Sequence, residues 1–324
     1  MANPAPDPNP APDPNQNDTS YGAPPLPSGR WITLPGRGEL FIREAGVRRG
    51  HAPTLVLLHG WTATADLNFF PLYPALGANH HVVSFDLRGH GRGLRSPDGF
   101  RLSDCADDVA ALAAALAAGS EADPRRLVVV GYSMGGLVAQ LVWQRHRELV
   151  AGLVLCSTSR NFRGAAGDVA YFSGLAALAA ALRLAPGPVR ERAFARFLER
   201  RRESLGLGRW GQAELAGHDV LRVAEAGAAI GTFSSHDWIG QVDVPCAVVV
   251  TTADTKIPPH RQRKLAAAIP GAAVFEVEGD HHACPRQPER FLGPFLAAVD
   301  HVLGQVGPGA PSPPPPVGRH PTRA

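Results

Sequence analysis

The residues with the clearest chemical promise sit in mid-chain. Gly131-Tyr132-Ser133-Met134-Gly135-Gly136 follows the apolar run Leu127-Val128-Val129-Val130 and leads into Leu137-Val138-Ala139. The run reads as a buried strand and the stretch from Met134 onward as a helix start, so Ser133 stands on a sharp strand-to-helix turn between glycines. Such a turn holds its central residue in an unfavourable backbone conformation, and side chains at the flanking positions would collide with neighbouring segments. One hydroxyl is thereby exposed as a nucleophile, and the free N–H groups and dipole of the following helix favour negative charge beside it. A bare Gly-x-Ser-x-Gly equally describes a turn of small residues. Its strand, its helix and its mid-chain place give it the chemical reading.

The elements around Ser133 are those of an α/β protein. Trp31–Leu34 and Leu40–Arg43 flank Pro35-Gly36-Arg37-Gly38 and read as an opening β-hairpin. Continuous apolar runs come next at Leu55–Leu58, Val82–Phe85, Leu127–Val130, Leu153–Leu155, Ala247–Val250 and Val274–Val277. Runs without alternation suit parallel strands buried on both faces. The stretches between them carry helical period, as in Leu102, Val109 and Leu112, or Phe291, Phe295 and Val299. The expected organisation is a core over 29–160 and 239–305, interrupted by a helical, Ala- and Leu-rich insertion over 161–238 that lies over the sheet. The flanks 1–28 and 306–324 are rich in Pro, Asn and Asp or in Pro alone, with too little apolar surface to offset chain entropy, and read as disordered tails.

Strand, glycine-flanked serine and helix together resemble the α/β-hydrolase superfamily over roughly Arg30 to Gly304. The resemblance implies an eight-stranded, mostly parallel sheet with flanking helices, and a Ser, acid, His order along the chain. Leu55-Val56-Leu57-Leu58-His59-Gly60-Trp61 is similar to the family segment that supplies half of the oxyanion hole, which makes the backbone N–H groups of Trp61 and Met134 the implied donors. His59 then fits a residue that shapes the loop. Family members place the base after a Gly-containing turn, seven residues before a Pro-Glu helix start; counting back from Pro288 gives His281, with adjacent His282 as its rival. The acid comes after one of two strands. Cys156-Ser157-Thr158-Ser159 offers no carboxylate, whereas Thr251-Thr252-Ala253-Asp254 does, so Asp254 is the candidate and a helix-capping carboxylate its plain alternative.

Composition narrows the field further. A formal charge of +3, from 32 basic and 29 acidic side chains, gives no overall field to favour nucleic acid. Asp86-Leu87-Arg88-Gly89-His90-Gly91-Arg92-Gly93 lacks the third glycine of a dinucleotide fingerprint and matches a structural loop of the resembled family. His80-His81, His218-Asp219 and His236-Asp237 do not form a metal-binding array, so no metal and no cofactor are expected. Cys105, Cys156, Cys246 and Cys284 are widely spaced and read as buried free thiols, a disulfide remaining open. The N-terminal residues lack a secretory pattern, and the apolar runs near Val109–Ala118 and Leu175–Leu182 fall short of bilayer length. A cytoplasmic protein without stable membrane insertion is the expectation. Val189–Arg202 is an amphipathic helix candidate whose arginines suit a solvated face, or an anionic lipid or acidic substrate.

The resemblance therefore implies a serine hydrolase that works through an acyl-enzyme on a small-molecule carboxylic or lipid ester. Ser rather than Asp at the turn argues against the epoxide hydrolase and dehalogenase branches. Thioesterases, carbon–carbon bond hydrolases, peptidases and cofactor-free perhydrolases use the same residues and stay open, as does a non-catalytic small-molecule receptor on the same fold.

Overall fold

The computed structural model describes residues 22–48, 50, 52–118, 126–162, 166–205 and 208–306. Most of both expected tails, 1–21 and 307–324, lies outside them. The chain opens with the hairpin β1 (Gly29–Leu34) and β2 (Gly38–Ala45), then β3 (Thr54–Leu58), α1 (Ala65–Phe69), α2 (Tyr73–Asn79) and β4 (Val82–Phe85). Next come α3 (Leu102–Ala117), β5 (Leu127–Tyr132), α4 (Met134–Arg145) and β6 (Val150–Cys156). Among the described residues four helices succeed them without an intervening strand: α5 (Ala166–Leu184), α6 (Gly187–Leu205), α7 (Arg209–Ala216) and α8 (Val220–Thr232). The chain then completes β7 (Cys246–Thr251), α9 (Pro259–Ala268), β8 (Ala273–Val277), α10 (Ala283–Arg286) and α11 (Pro288–Gln305).

The eight strands form one sheet in the order β1-β2-β4-β3-β5-β6-β7-β8. β1 and β2 pair antiparallel, β2 joins β4 antiparallel, and every pairing from β4 to β8 is parallel. All eight strands stand where the opening hairpin and the six apolar runs predict them. The lack of alternation has its cause here: Val128 and Val130 of β5 pack with Phe295 and Val299 of α11, while Val129 packs on the other face with Leu112 of α3 and Leu137 of α4. Each such valine gains about 1.5–3 kcal/mol by leaving water, so a polar residue at either parity would be costly. Parallel pairing also brings the C-terminal ends of β3, β5, β6, β7 and β8 to one rim, where functional loops of open α/β sheets gather.

The four helices between β6 and β7 show one departure from the sequence expectation. The interrupted Leu175–Leu182 run predicts an apolar stretch too short for a bilayer. Ser173 and Gly174 do not break α5, however, and its 18-residue stretch Gly167–Leu184 is long and apolar enough, by length and composition, to cross one. Only a small part of it is buried. Phe172, Leu175, Ala179 and Leu182 turn towards the protein, and α5 packs mainly on α8.

Candidate active site

Ser133 occupies the junction of β5 and α4 with φ 53° and ψ −114°. Among described non-glycine residues only Thr62, Ser133 and Ser157 have positive φ, and all three lie just past strands that converge on this rim. Neighbouring backbone holds the strained serine: its N–H donates to the Cys156 carbonyl at 2.9 Å, and its own carbonyl accepts from Gly136 N–H at 3.0 Å and the Thr158 hydroxyl at 2.8 Å. The glycines are required by space. A Cβ on Gly135 would lie 1.9 Å from the Leu58 carbonyl oxygen, and one on Gly131 2.4 Å from that of Gly135.

A line of hydrogen bonds runs inward from the Ser133 hydroxyl. His281 Nε2 lies 3.0 Å from Ser133 Oγ, and Nδ1 lies 2.7 Å from Asp254 Oδ2. A carboxylate oxygen accepts, so the ring proton sits on Nδ1 and Nε2 is left to accept from the serine. Asp254 is 3% exposed and fully engaged: Oδ1 accepts the Lys256 and Ile257 N–H groups, each at 2.8 Å, and Oδ2 also accepts from Thr251 Oγ1 at 2.9 Å and Gln262 Nε2 at 3.2 Å. The loops carrying the acid and the histidine are joined by backbone bonds from Thr252 N to Val277 O and from Ala253 N to Gly279 O. Of the two adjacent histidines, His281 spans Ser133 and Asp254, while the His282 N–H caps back to Asp280 Oδ1.

The loop after β3 is equally determined. His59 is fully buried; its Nε2 accepts the Leu87 N–H at 2.8 Å, so Nδ1 carries the proton and donates to the Gly60 carbonyl at 2.7 Å. Burial lowers its pKa from the ordinary 6.5, against the pull of Asp86, which suits a neutral ring that shapes a loop. The Gly60 N–H donates to Asn68 Oδ1 at 2.9 Å. The Trp61 and Met134 N–H groups have no acceptor among the described residues. The Met134 N–H belongs to the open first turn of α4, and Gly60, next to Trp61, lies against Ser133.

Beneath this loop lies a cluster of buried charge. Asp86 accepts the Ala65 N–H at 2.7 Å and the Arg92 N–H at 2.8 Å; burial pushes its pKa up, but neighbouring Arg92 and these bonds hold it below the usual value. Asp66 pairs with Arg43 at 2.7 Å and Arg92 at 2.6 Å. Glu214 reaches in from α7 to accept from Thr64 Oγ1 at 2.9 Å and pairs with Arg92 at 3.2 Å. Burial, and the nearness of Asp66 and Asp86, raise Glu214 from 4.5 to about 7 against the pull of Arg92. The inserted helices are tied down further by the Trp61 indole, which donates to the Val223 carbonyl at 2.8 Å, and by Glu225, which accepts the Phe100 N–H and pairs with Arg183 and Arg222. A groove of about 650 Å³ opens between α5, α8 and the start of α3, walled by Phe100, Leu102, Phe172, Ala179, Ala229 and Phe233. Ser133 and His281 are not among its walls.

Several of these partners escape the sequence reading. Gln262 and Thr251 fix Asp254, and the Tyr132 hydroxyl donates to the His281 carbonyl at 2.8 Å. Tyr132 had a signal, as the neighbour of Ser133; Gln262, a turn into α9, did not. The four cysteines are buried and free, and burial pushes each thiol up, Cys246 to about 12, so none is a ready thiolate.

The sequence profile described as the alpha/beta hydrolase family matches residues 55–293. A pimeloyl-[acyl-carrier protein] methyl ester esterase from Sodalis glossinidius is 35% identical over 108 residues, 33% of this chain and 37% of that protein. The chain thus spans little more than a third of the length of that esterase. A protein from Rhizobium rhizogenes whose name assigns it to carbamate hydrolysis is 28% identical over 261 residues, 78% of this chain and 94% of that one. Among solved structures, a hydrolase from Pseudomonas aeruginosa superposes with a TM-score of 0.68 at 22% identity, covering 84% of this chain and 98% of its own.

Proposed function

The chain belongs to the alpha/beta hydrolase family, and on that premise we propose that it is a serine hydrolase that cleaves small-molecule carboxylic esters through Ser133, His281 and Asp254. The observation that carries this reading is the unbroken line of bonds from Ser133 Oγ through both nitrogens of His281 to Asp254. His281 Nε2 takes the Ser133 proton as Oγ attacks the ester carbonyl. The oxyanion forms against the Trp61 and Met134 N–H groups, each donor worth about 2.7–4 kcal/mol in a transition state of this kind. His281 returns the proton to the departing alkoxide, then activates water to release the acid from the acyl-enzyme. Asp254 keeps the Nδ1 proton in place and stabilises the imidazolium at each half-reaction.

Free, buried thiols also support a reducing compartment as the place of action. Fluorophosphonate labelling of the full chain, with peptide mapping, tests the nucleophile. Label on Ser133, absent from Ser133→Ala, is expected; a folded chain that stays unlabelled defeats the reading. A panel of short-chain esters beside thioesters and amides then tests the substrate class, with esters expected to turn over fastest.

A further inference from the structure

Of the eight large apolar side chains found most exposed among the described residues, five fall between positions 169 and 189: Val169, Tyr171, Leu178, Leu184 and Val189. The cause is the sequence of α5. From Val169 to Leu182 it has no charged residue, and only one side of it is used against α8 and its neighbours. Tyr171 and Leu178 are exposed along the edge of that packed side, and Ala177, Ala181 and Leu184 on the side opposite it. A surface helix ordinarily turns charge outward, so an uncharged outer face implies an apolar medium against it.

The next helix has the complementary character. Ala185 and Pro186 join α5 to α6, which holds six arginines against three glutamates, a net charge of +3 that equals the formal charge of the whole chain. Arg190 and Arg192 follow the joint closely in sequence, and at the joint itself Leu184 is 87% exposed and Val189 49%. Arg183 pairs with Glu225.

We propose that the outer face of α5 and the exposed Arg192 and Arg196 of α6 form a seat for an anionic lipid surface, with α5 lying in the interface. Apolar face and basic neighbour together are what binding to such a surface requires. A crossing orientation is excluded by packing, because Phe172, Leu175, Ala179 and Leu182 are engaged with the rest of the protein. A second copy is the poorer occupant: a two-fold contact through the same face would set two +3 helices near each other.

The full chain is sedimented with vesicles of phosphatidylcholine, with or without phosphatidylglycerol. Binding to the anionic vesicles is expected to be stronger by on the order of tenfold or more. It weakens as salt is raised. Leu178→Glu/Leu184→Glu should abolish it while circular dichroism and turnover of a water-soluble ester stay unchanged, and Arg192→Glu/Arg196→Glu should remove the preference for anionic lipid. Equal recovery with and without phosphatidylglycerol, or a leucine variant that binds as wild type does, overturns the proposal. A dimer in light scattering that the leucine variant dissociates assigns the face to a second copy instead. Binding to polyglutamate that is indifferent to Leu178 and Leu184 assigns the arginines to an acidic protein.

Discussion

The strand-end rim and the four-helix insertion are built to different standards. At the rim, Asp254 has five hydrogen-bond donors, Ser133 is pinned through its own N–H and carbonyl, and His59 has both ring nitrogens satisfied. The insertion has a small apolar cluster of its own, Ala179, Leu182, Leu221 and Ala224, joins the main core through Ala226 and Ile230 of α8, and is tied by Glu214, Glu225 and the Trp61 indole, yet much of α5 is left facing outward. A reacting group must be held to fractions of an ångström, so neighbours over-determine it. A surface that selects or seats a partner needs only shape and charge. Chemistry should therefore fail steeply when the rim is altered, and gently when the insertion is.

The largest effect is expected at Ser133. Ser133→Ala should lower ester kcat by about 10⁴-fold or more, with the melting temperature unchanged or raised as the hydroxyl is lost. Asp254→Asn comes next, at about 10³- to 10⁴-fold in kcat, because an amide can donate to Nδ1 and so set the wrong histidine tautomer. KM should hardly move in that variant. A loss below about tenfold would mean that an amide held by the same Thr251 and Gln262 contacts orients His281 as well as the carboxylate does, and that the charge of Asp254 matters little.

Gly135→Ala tests the same over-determination in the backbone. Its Cβ would meet the Leu58 and His59 carbonyl oxygens, at 1.9 and 2.8 Å, and neither strand end can retreat without disturbing the Gly60 loop. A loss of about 3 kcal/mol or more in denaturant unfolding is expected, at the upper end for overpacking. Gly174→Ala on α5, where a Cβ meets nothing within 4 Å, should instead gain about 0.5–1 kcal/mol.

The two regions were also unequally legible. Strand positions were readable because burial on both faces leaves an unbroken apolar run, and Ser133 because its glycines are a steric necessity. His281 and Asp254 depended on resemblance, since thirteen histidines give composition no way to choose. The hidden parts are contacts between segments far apart in sequence: Glu214 meets Arg92 across 122 positions, and Trp61 meets Val223 across 162. No local period encodes such a pair. The extent of α5 was hidden for a smaller reason, Ser173 and Gly174 being compatible with a helix although they interrupt an apolar count.

Glu214 makes the rim-to-insertion contact sensitive to pH. Its pKa rises from 4.5 to about 7 on folding, so the native state holds the proton more tightly than the unfolded chain does. The stability from this is complete below about pH 4.5 and is lost as pH rises through about 7. Glu214→Gln keeps an oxygen for the Thr64 hydroxyl and cannot ionise. Relative to the variant, wild type should lose up to about 3 kcal/mol of stability between pH 5 and 8, read from urea unfolding at each pH. A constant difference would mean that Arg92 holds Glu214 ionised throughout, and that the contact is a plain ion pair.

The smallest effect separates the two regions most finely. Trp61 belongs to both: its backbone N–H, in the loop after β3, has no acceptor among the described residues, while its indole N–H holds the Val223 carbonyl of α8 and its ring sits against Gly227. Trp61→Phe leaves the backbone donor in place and removes only the indole bond, worth about 0.5–1.5 kcal/mol. If the insertion governs access and the rim governs chemistry, KM for the best ester should rise a few-fold while kcat stays within about twofold. A fall in kcat comparable to that of Asp254→Asn would show that the indole bond sets the position of the Trp61 N–H itself. The insertion would then be part of the catalytic geometry, and its looser packing would limit the rate.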